Sequence, residues 1–164
     1  MLAPPAARRA LSDGLRLGDV LGGYSNLTFG EAEFEDGRLQ VEAIPVSAKR
    51  PRYATAVTDV QADEPWSIAL RISVDDTKIV YAPAVASWSP RLRAAAQDAD
   101  VVFFDGTFWD DDEPAEHAMT TRSATGMGHL PIHGPGGSAE QLSRLAARCL
   151  YTHLNNTNPL VDPG

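Results

Sequence analysis

Three side chains in the second half of the sequence have the chemistry to act together. Asp105 ends an apolar run of strand length that begins at Asp100, and His153 ends a second short apolar run over residues 149–152. His129 lies between them in a turn flanked by glycine. In open α/β sheets, ligands bind beyond the carboxyl ends of the strands. One Asp and two His at such positions suit either metal binding or acid/base catalysis.

Each of these residues also has an ordinary structural interpretation. Asp105 precedes Gly106, and Asp often stabilises a turn by accepting hydrogen bonds from nearby backbone N–H groups. His129 could be a loop histidine bonded to the backbone, and His153 a hydrogen-bonded residue at a strand end. Spacing alone favours the structural interpretation for Asp105 and leaves both interpretations open for His129 and His153. The Asn-rich run over 155–159 is likewise either a polar turn or part of a site.

Alternation of apolar and polar residues predicts two β-hairpins in the first half of the chain. Asp36-Gly37 is a hairpin turn signal, and Asp75-Asp76 separates the next two extended segments. The four predicted strands cover residues 27–34, 39–46, 67–74 and 78–82. Their alternation places apolar side chains on one face of a sheet.

The second half of the chain alternates helical and extended patterns. Ser89 is the predicted N-cap of a helix with Pro90 at its first position, and Ser138 with Gln141 forms a predicted capping box. The predicted elements are a helix over 91–99, a strand over 100–104, a short helix opening at 110–113, a helix over 138–148 and a strand over 149–152. Residues 1–164 are therefore predicted to form one α/β domain, with an antiparallel-rich sheet and helices on one face.

Composition narrows the classes of partner. The formal net charge of -8 argues against nucleic acid and against an anionic membrane surface, because both are bound through Lys and Arg. The N-terminal residues contain no long apolar core typical of a signal peptide. The single Cys149 cannot form an internal disulfide, which suits the cytoplasm. We expect a cytoplasmic protein whose partner is a small molecule or another protein.

Three motifs resemble the pyrroloquinoline quinone (PQQ) biosynthesis protein B family. They are 104–113 (FDGTFWDDDE), 127–132 (MGHLPI) and 152–159 (THLNNTNP), and they occur in the family's order and at family-like spacing. Two weaker matches precede them at 43–49 and 79–83, so the resemblance covers most of the chain from about residue 21.

The resemblance implies the metallo-β-lactamase fold, an αββα sandwich of two similar halves. It implies that Asp105 and His153 bind a metal, iron or zinc, and that His129 supports catalysis. The family acts on a PQQ precursor derived from a Glu–Tyr cross-linked peptide. Its members have been regarded as metal-dependent hydroxylases of the tyrosine-derived ring and also as carriers of PQQ. A metallo-hydrolase of another specificity is a third possibility, and the resemblance leaves open whether the chain is an enzyme.

The sequence departs from the family in its first half. The superfamily's main metal motif is a His-rich cluster in the N-terminal half, and this sequence has no His before His117. The chain therefore resembles a C-terminal half only. Because three or four protein ligands are usual for a catalytic metal, we expect it to hold no metal tightly by itself. The other ligands would come from a separate N-terminal half or a homo-oligomer, and either would also cover an apolar sheet face.

Overall fold

Six strands form one sheet in the computed structural model, which describes residues 4–17, 33–55, 57, 61 and 63–161, and only the backbone of 33–36. The strands are β1 (Glu33–Asp36), β2 (Leu39–Ser47), β3 (Ser67–Val74), β4 (Thr77–Ala82), β5 (Val101–Asp105) and β6 (Arg148–Thr152). Their order in the sheet follows their order in the chain. Strands β1 to β4 pair antiparallel, whereas β4–β5 and β5–β6 pair parallel.

The helices are short. They are α1 (Pro5–Arg9), α2 (Pro90–Gln97), α3 (Glu113–Glu116), α4 (Ala124–Met127) and α5 (Ser138–Leu142), together with a π-helical turn at Ala10–Gly14 and a 3-10 turn at Arg52–Ala54. Within the described residues, none is long and apolar enough to cross a bilayer.

The predicted hairpins are present among the described residues. Asp36 pairs with Leu39 across a two-residue turn in which Gly37 has a φ of 58°, a left-handed conformation that glycine adopts without a steric penalty. Asp75 adopts a φ of 51° in the second turn, and Asp is among the few other residues that tolerate it. Part of the first predicted strand, residues 27–32, lies outside the described residues.

The main core lies between one face of the sheet and α2. Val80, Val102 and Phe104 from the central strands are fully buried against Leu92 of α2. The hydroxyl of Ser89 accepts a hydrogen bond from the backbone N–H of Leu92 at 3.1 Å, so the predicted N-cap is confirmed. Because α2 connects β4 to its parallel neighbour β5, it must cross one face of the sheet.

The predicted helix over 138–148 is wrong in length and in its cap. Helix α5 ends at Leu142, and its N-cap is Gly137 rather than Ser138. A Cβ atom on Gly137 would lie 2.6 Å from the carbonyl oxygen of Ile132, so only glycine fits there. The chain leaves the helix because the backbone N–H of Arg148 donates to Asp100 O at 2.9 Å, which aligns β6 beside β5.

The face of the sheet away from α2 is apolar as well. Leu70 pairs with Tyr81, and Tyr81 with Phe103, so the three side chains share that face. Leu70 and Phe103 are partly exposed, and Tyr81 and Val74 are 39% and 40% exposed. Contiguous apolar surface of this kind commonly marks a contact with another protein surface.

We therefore expect the purified chain to self-associate through this face. Sedimentation velocity over a concentration series should show reversible association, and Tyr81→Lys should shift the distribution towards monomer, because burying the lysine charge is costly. The matched control is Tyr53→Lys, since Tyr53 is 50% exposed but lies in the 3-10 turn off the sheet. A chain that stays monomeric at every concentration would contradict the expectation.

A candidate metal and acid/base site

Asp105 is the last residue of β5 and is completely buried. Its Oδ2 accepts hydrogen bonds from the backbone N–H of Val85 and from His129 Nδ1, both at 2.8 Å. Its Oδ1 accepts from the backbone N–H of Thr107 at 3.1 Å and from the Thr107 hydroxyl at 2.6 Å. Each carboxylate oxygen thus has two donors, which compensate for the loss of solvent around a buried polar group. Asp105 is therefore bonded to three separate segments of the chain.

His129 reaches this carboxylate from the loop after α4. Ser123 caps α4 by accepting from the backbone N–H of Gly126 at 3.0 Å, and Gly128 ends the helix with a φ of 102°. The next residue after His129 donates its backbone N–H to Val85 O at 2.7 Å. Since the N–H of Val85 bonds to Asp105, one residue fixes both partners of the Asp–His pair.

His153 follows β6 and faces the same point from the other side. Asp105 pairs with Thr152 across the parallel β5–β6 ladder, so the next residue leaves the sheet beside the carboxylate. His153 has a φ of 59°, an uncommon conformation for a residue with a side chain. Its ring stacks on that of His129 at a centroid distance of 5.7 Å. The His153 side chain is 53% exposed, against 18% for His129.

The structure brings all three predicted site residues together. One donor atom from each of Asp105, His129 and His153 lies within 4.8 Å of the other two. The three side chains therefore converge on one point, whereas their roles stay predictions. The other two described histidines lie apart from this group: His117 is exposed, and His133 stacks on Trp109 at 5.5 Å.

Thr107 is a member of the site that sequence reasoning missed. Its hydroxyl lies 2.6 Å from Asp105 Oδ1, 2.8 Å from His153 Nδ1 and 3.1 Å from His129 Nδ1. A hydroxyl donates one proton, and the charged Asp105 at the shortest distance is its best acceptor. In that arrangement His153 Nδ1–H donates to the hydroxyl and His129 Nδ1–H donates to Asp105. The sequence feature that could have identified Thr107 is its position in the Asp-Gly-Thr motif at residues 105–107.

The Asn-rich run has a structural role in this site. Asn158 is buried and donates its side-chain N–H to Gly106 O at 2.7 Å, while Gly106 N–H donates to Thr152 O at 2.9 Å. The backbone N–H of Asn155 donates to Thr107 O at 3.1 Å. These bonds hold the turn after β5 against the end of β6. The Asn-rich run was interpreted above as either a polar turn or part of a site. The contacts of Asn158 agree with the polar turn.

One residue of the acidic stretch at 110–113 is buried. Glu113 is only 4% exposed, and its carboxylate accepts hydrogen bonds from the backbone N–H of Trp109 and from the Thr157 hydroxyl. It therefore ties the segment before α3 to the Asn-rich run. No spacing rule identified this contact, because its two partners are 44 residues apart.

A cleft of about 420 Å³ opens next to His129. Its cationic lining is unlike the acidic chain as a whole and consists of Lys49, Arg50, Arg52 and Arg122. Partial burial, followed by the nearby charge of Arg122, lowers the pKa of Lys49 below its ordinary value. The histidine thus lies between a buried carboxylate on one side and a positively charged cleft on the other.

Comparison with known proteins identifies the family. Residues 26–154 match the beta-lactamase superfamily domain. The chain belongs to the beta-lactamase superfamily. Curated members similar to it include coenzyme PQQ synthesis protein B of Azoarcus sp. (strain BH72), with 34% identity over 94% of this chain and 54% of the relative. The same protein of Cupriavidus taiwanensis is 41% identical over 75% of this chain and 38% of the relative. The predicted resemblance is thus confirmed.

Solved structures confirm the metallo-β-lactamase fold. Zn2+-bound PqqB from Methylobacterium extorquens superimposes with a TM-score of 0.79 and 26% identity, over 98% of this chain and 55% of that one. The metallo-β-lactamase fold protein YhfI from Bacillus subtilis has a TM-score of 0.53 at 15% identity, covering 88% of this chain and 50% of that one. The chain spans about half the length of the superfamily members that it matches.

Gly106→Ala should destabilise the protein by about 2 kcal/mol, because a side chain in a tightly packed position forces its surroundings apart. A Cβ at Gly106 would lie 2.8 Å from Leu154 Cδ2 and 2.9 Å from Tyr151 Cβ. Urea unfolding measures the effect. In the control Gly14→Ala, no atom lies within 4 Å of the added Cβ, so stability should stay close to that of the parent chain. Equal stability of both variants would refute this account of the turn.

Proposed function

We propose that this chain contributes part of a metal-dependent active site in the synthesis of coenzyme PQQ. Asp105 and His153 are its metal ligands, and His129 is the residue that transfers a proton. The observation that carries the proposal is the convergence of one carboxylate and two imidazoles beside a cleft. The names of the relatives support the pathway, and the Zn2+-bound PqqB supports a metal.

The side chains present fit a divalent metal ion. One carboxylate and two imidazoles are donors that both zinc and non-haem iron accept. Two donors on one ion at about 2.1 Å each lie at most about 4.2 Å apart. The present donors lie within 4.8 Å of one another, so an ion would require a small rotation and would replace one of the four hydrogen bonds that Asp105 accepts. His153 is free to make this rotation, because more than half of its side chain is exposed.

Asp105 and His129 form a hydrogen-bonded pair suited to proton transfer. The carboxylate is buried and fixed by the backbone of Val85 and Thr107, so it holds the imidazole of His129 in one orientation. His129 also lines the cleft. A histidine held by a carboxylate on one side and facing a ligand on the other can accept a proton from that ligand or return one to it. Phe108 packs edge-on against the ring at 5.9 Å and limits its movement.

The finer assignment is a hydroxylase or oxygenase acting on the Tyr-derived PQQ precursor in the cytoplasm. A bound ion would supply a Lewis acid if it is zinc and a redox centre if it is iron. The carrier function for PQQ or its precursor requires the cleft but no proton transfer. A hydrolase of another specificity requires the same three side chains with another ligand. Substitution of His129 should impair a hydroxylase or a hydrolase but not a carrier, so variants of His129 distinguish the two enzymes from the carrier.

We expect the isolated chain to bind Zn2+ weakly and to lose it on desalting, since its two assigned ligands fall short of the three or four protein ligands usual for a catalytic metal. Thr107→Val should weaken Zn2+ binding about tenfold or more, because the hydroxyl that orients the other donors is lost. Isothermal titration calorimetry measures both effects. The control Thr77→Val alters an exposed threonine at the start of β4. Unchanged affinity in Thr107→Val, or one firmly held ion per chain after desalting, would contradict this description of the site.

The functional test uses bacteria that lack their own coenzyme PQQ synthesis protein B. The chain is co-expressed there with the N-terminal half of the Azoarcus relative, and PQQ in the medium is quantified. PQQ should be formed with the parent chain and should fall at least tenfold with His129→Gln, which keeps a hydrogen-bonding group but cannot carry the proton. Normal PQQ formation by His129→Gln would favour the carrier function. No PQQ with the parent chain, despite soluble expression of both halves, would refute the proposed role.

A further inference from the structure

Strand β6 forms one edge of the sheet among the described residues, because β5 is its only neighbour. The backbone N–H of Arg148 donates to Asp100 O at 2.9 Å, so the backbone groups of Arg148 face β5. Successive residues of a strand direct these groups to opposite sides. The N–H and C=O groups of Cys149 and Tyr151 therefore point away from β5, and no described residue bonds to them. An edge of this kind can pair with another strand.

Natural edge strands are usually protected against pairing, and β6 carries little protection. Charged side chains, prolines and bulges are the usual devices. Strand β1, at the opposite end of the described sheet, reads Glu-Phe-Glu-Asp and has three acidic residues in four. Strand β6 reads Arg-Cys-Leu-Tyr-Thr, contains no proline and pairs with β5 in an unbroken register. Its one charge, on Arg148, either protects the edge or takes part in binding, and the neighbouring surface distinguishes the two.

An apolar pocket of about 310 Å³ opens beside this edge. Its lining comes from α5, from the segment after α5 and from β6, and it includes Leu142 and Leu145. Tyr151 forms another wall, and its hydroxyl shares a hydrogen bond of 3.0 Å with that of the buried Ser138. Burial raises the pKa of Tyr151 and the pKa of Cys149 above their ordinary values, so both side chains are neutral at neutral pH. The pocket therefore suits an uncharged, aliphatic side chain.

The pocket and the free backbone groups belong to the same two residues. Cys149 and Tyr151 line the pocket, so a strand paired with them would direct alternate side chains towards it. Its other side chains would lie beside Leu150 and Arg148, on the opposite face of the sheet. Arg148 is exposed, and no carboxylate of the described residues lies within ion-pair distance of it. An acidic residue opposite Arg148 would therefore complement its charge.

We propose that the free edge of β6 binds an extended segment of a protein partner as an additional antiparallel strand, with an aliphatic side chain in the pocket and an acidic side chain opposite Arg148. Antiparallel pairing is slightly more stable per residue than parallel pairing. Main-chain bonds to Cys149 and Tyr151 supply affinity, and the pocket and Arg148 supply specificity, as in other cases of strand addition. The pocket and the cleft beside His129 have no lining residue in common, so this binding is independent of the proposed function.

Strand addition is tested with a fluorescein-labelled peptide, Thr-Val-Ile-Leu-Glu, attached through a flexible Gly-Ser linker. In the antiparallel register its Leu lies opposite Cys149 and its Glu opposite Arg148. Fluorescence anisotropy with the full chain should show saturable binding. N-methylation of the peptide's Leu should weaken binding about tenfold, because the main-chain bond to Cys149 is lost. N-methylation of the peptide's Ile is the matched control, since that N–H points away from β6, and binding should change little.

The pocket is tested by a substitution on its rim. Ala139 is an exposed residue of α5 that lines the pocket, so a new side chain there leaves the core undisturbed. Ala139→Glu should weaken peptide binding about tenfold or more, because the aliphatic side chain of the peptide would bury the new charge. The control Ala146→Glu makes the same change at an exposed alanine outside the pocket lining, and it should bind the peptide normally.

The role of Arg148 is tested by exchanging charges. Arg148→Glu should weaken binding of the acidic peptide about fivefold, because directly opposite like charges repel across paired strands. The same variant should bind a peptide that ends in Lys better than the parent chain does. The control Arg144→Glu makes the same change of charge at an exposed arginine that pairs with Glu140 and lies outside β6, and it should show neither effect.

Several results would overturn the inference. They are equal losses from the two N-methylated peptides, equal losses from Ala139→Glu and Ala146→Glu, or tighter binding of the acidic peptide by Arg148→Glu than by the parent chain. The last result would mean that Arg148 protects the edge. Circular dichroism of each variant verifies that the fold is intact. A peptide that does not bind, together with self-association that Ala139→Glu abolishes, would assign the edge to a second copy of the chain instead.

Discussion

The buried carboxylate of Asp105 is the group on which the site depends. It accepts four hydrogen bonds, two from backbone N–H groups and two from side chains, and it is inaccessible to solvent. The loss of any of these donors would leave an oxygen of a buried carboxylate short of a hydrogen-bond partner, which is costly in a protein interior. The loop at Val85, the turn at Thr107 and the segment at His129 are therefore held in position together. Disturbing one of them affects the other two.

The sheet topology explains why these segments meet. Parallel pairing of β4, β5 and β6 places the carboxyl ends of all three strands at one edge. Val85 follows β4, Asp105 ends β5 and His153 follows β6. The first half of the sheet, which is antiparallel, contributes Lys49 just after β2. The acid/base group and the cationic cleft thus come from the two differently organised parts of one sheet.

Much of the fold could be predicted from the sequence, because its signals are local. The turn at Gly37 and the cap at Ser89 depend on residues within a few positions of each other. The placement of Asp105 and His153 at strand ends follows from the same apolar runs. The end of α5 at Leu142 could not be predicted, since it is set by pairing of β6 with β5 rather than by helix propensity.

The parts of the site that sequence reasoning missed depend on contacts across the chain. Thr107 meets His153 from 46 residues away, and Asn158 meets Gly106 from 52. Neither residue type is rare in turns, so only the fold distinguishes its role. The cationic cleft was hidden for a related reason: the net charge of -8 describes the whole surface, whereas binding depends on the few charges that face one cleft. An overall acidic charge argues against a polyanion such as nucleic acid, but it does not describe the charge around any one cleft.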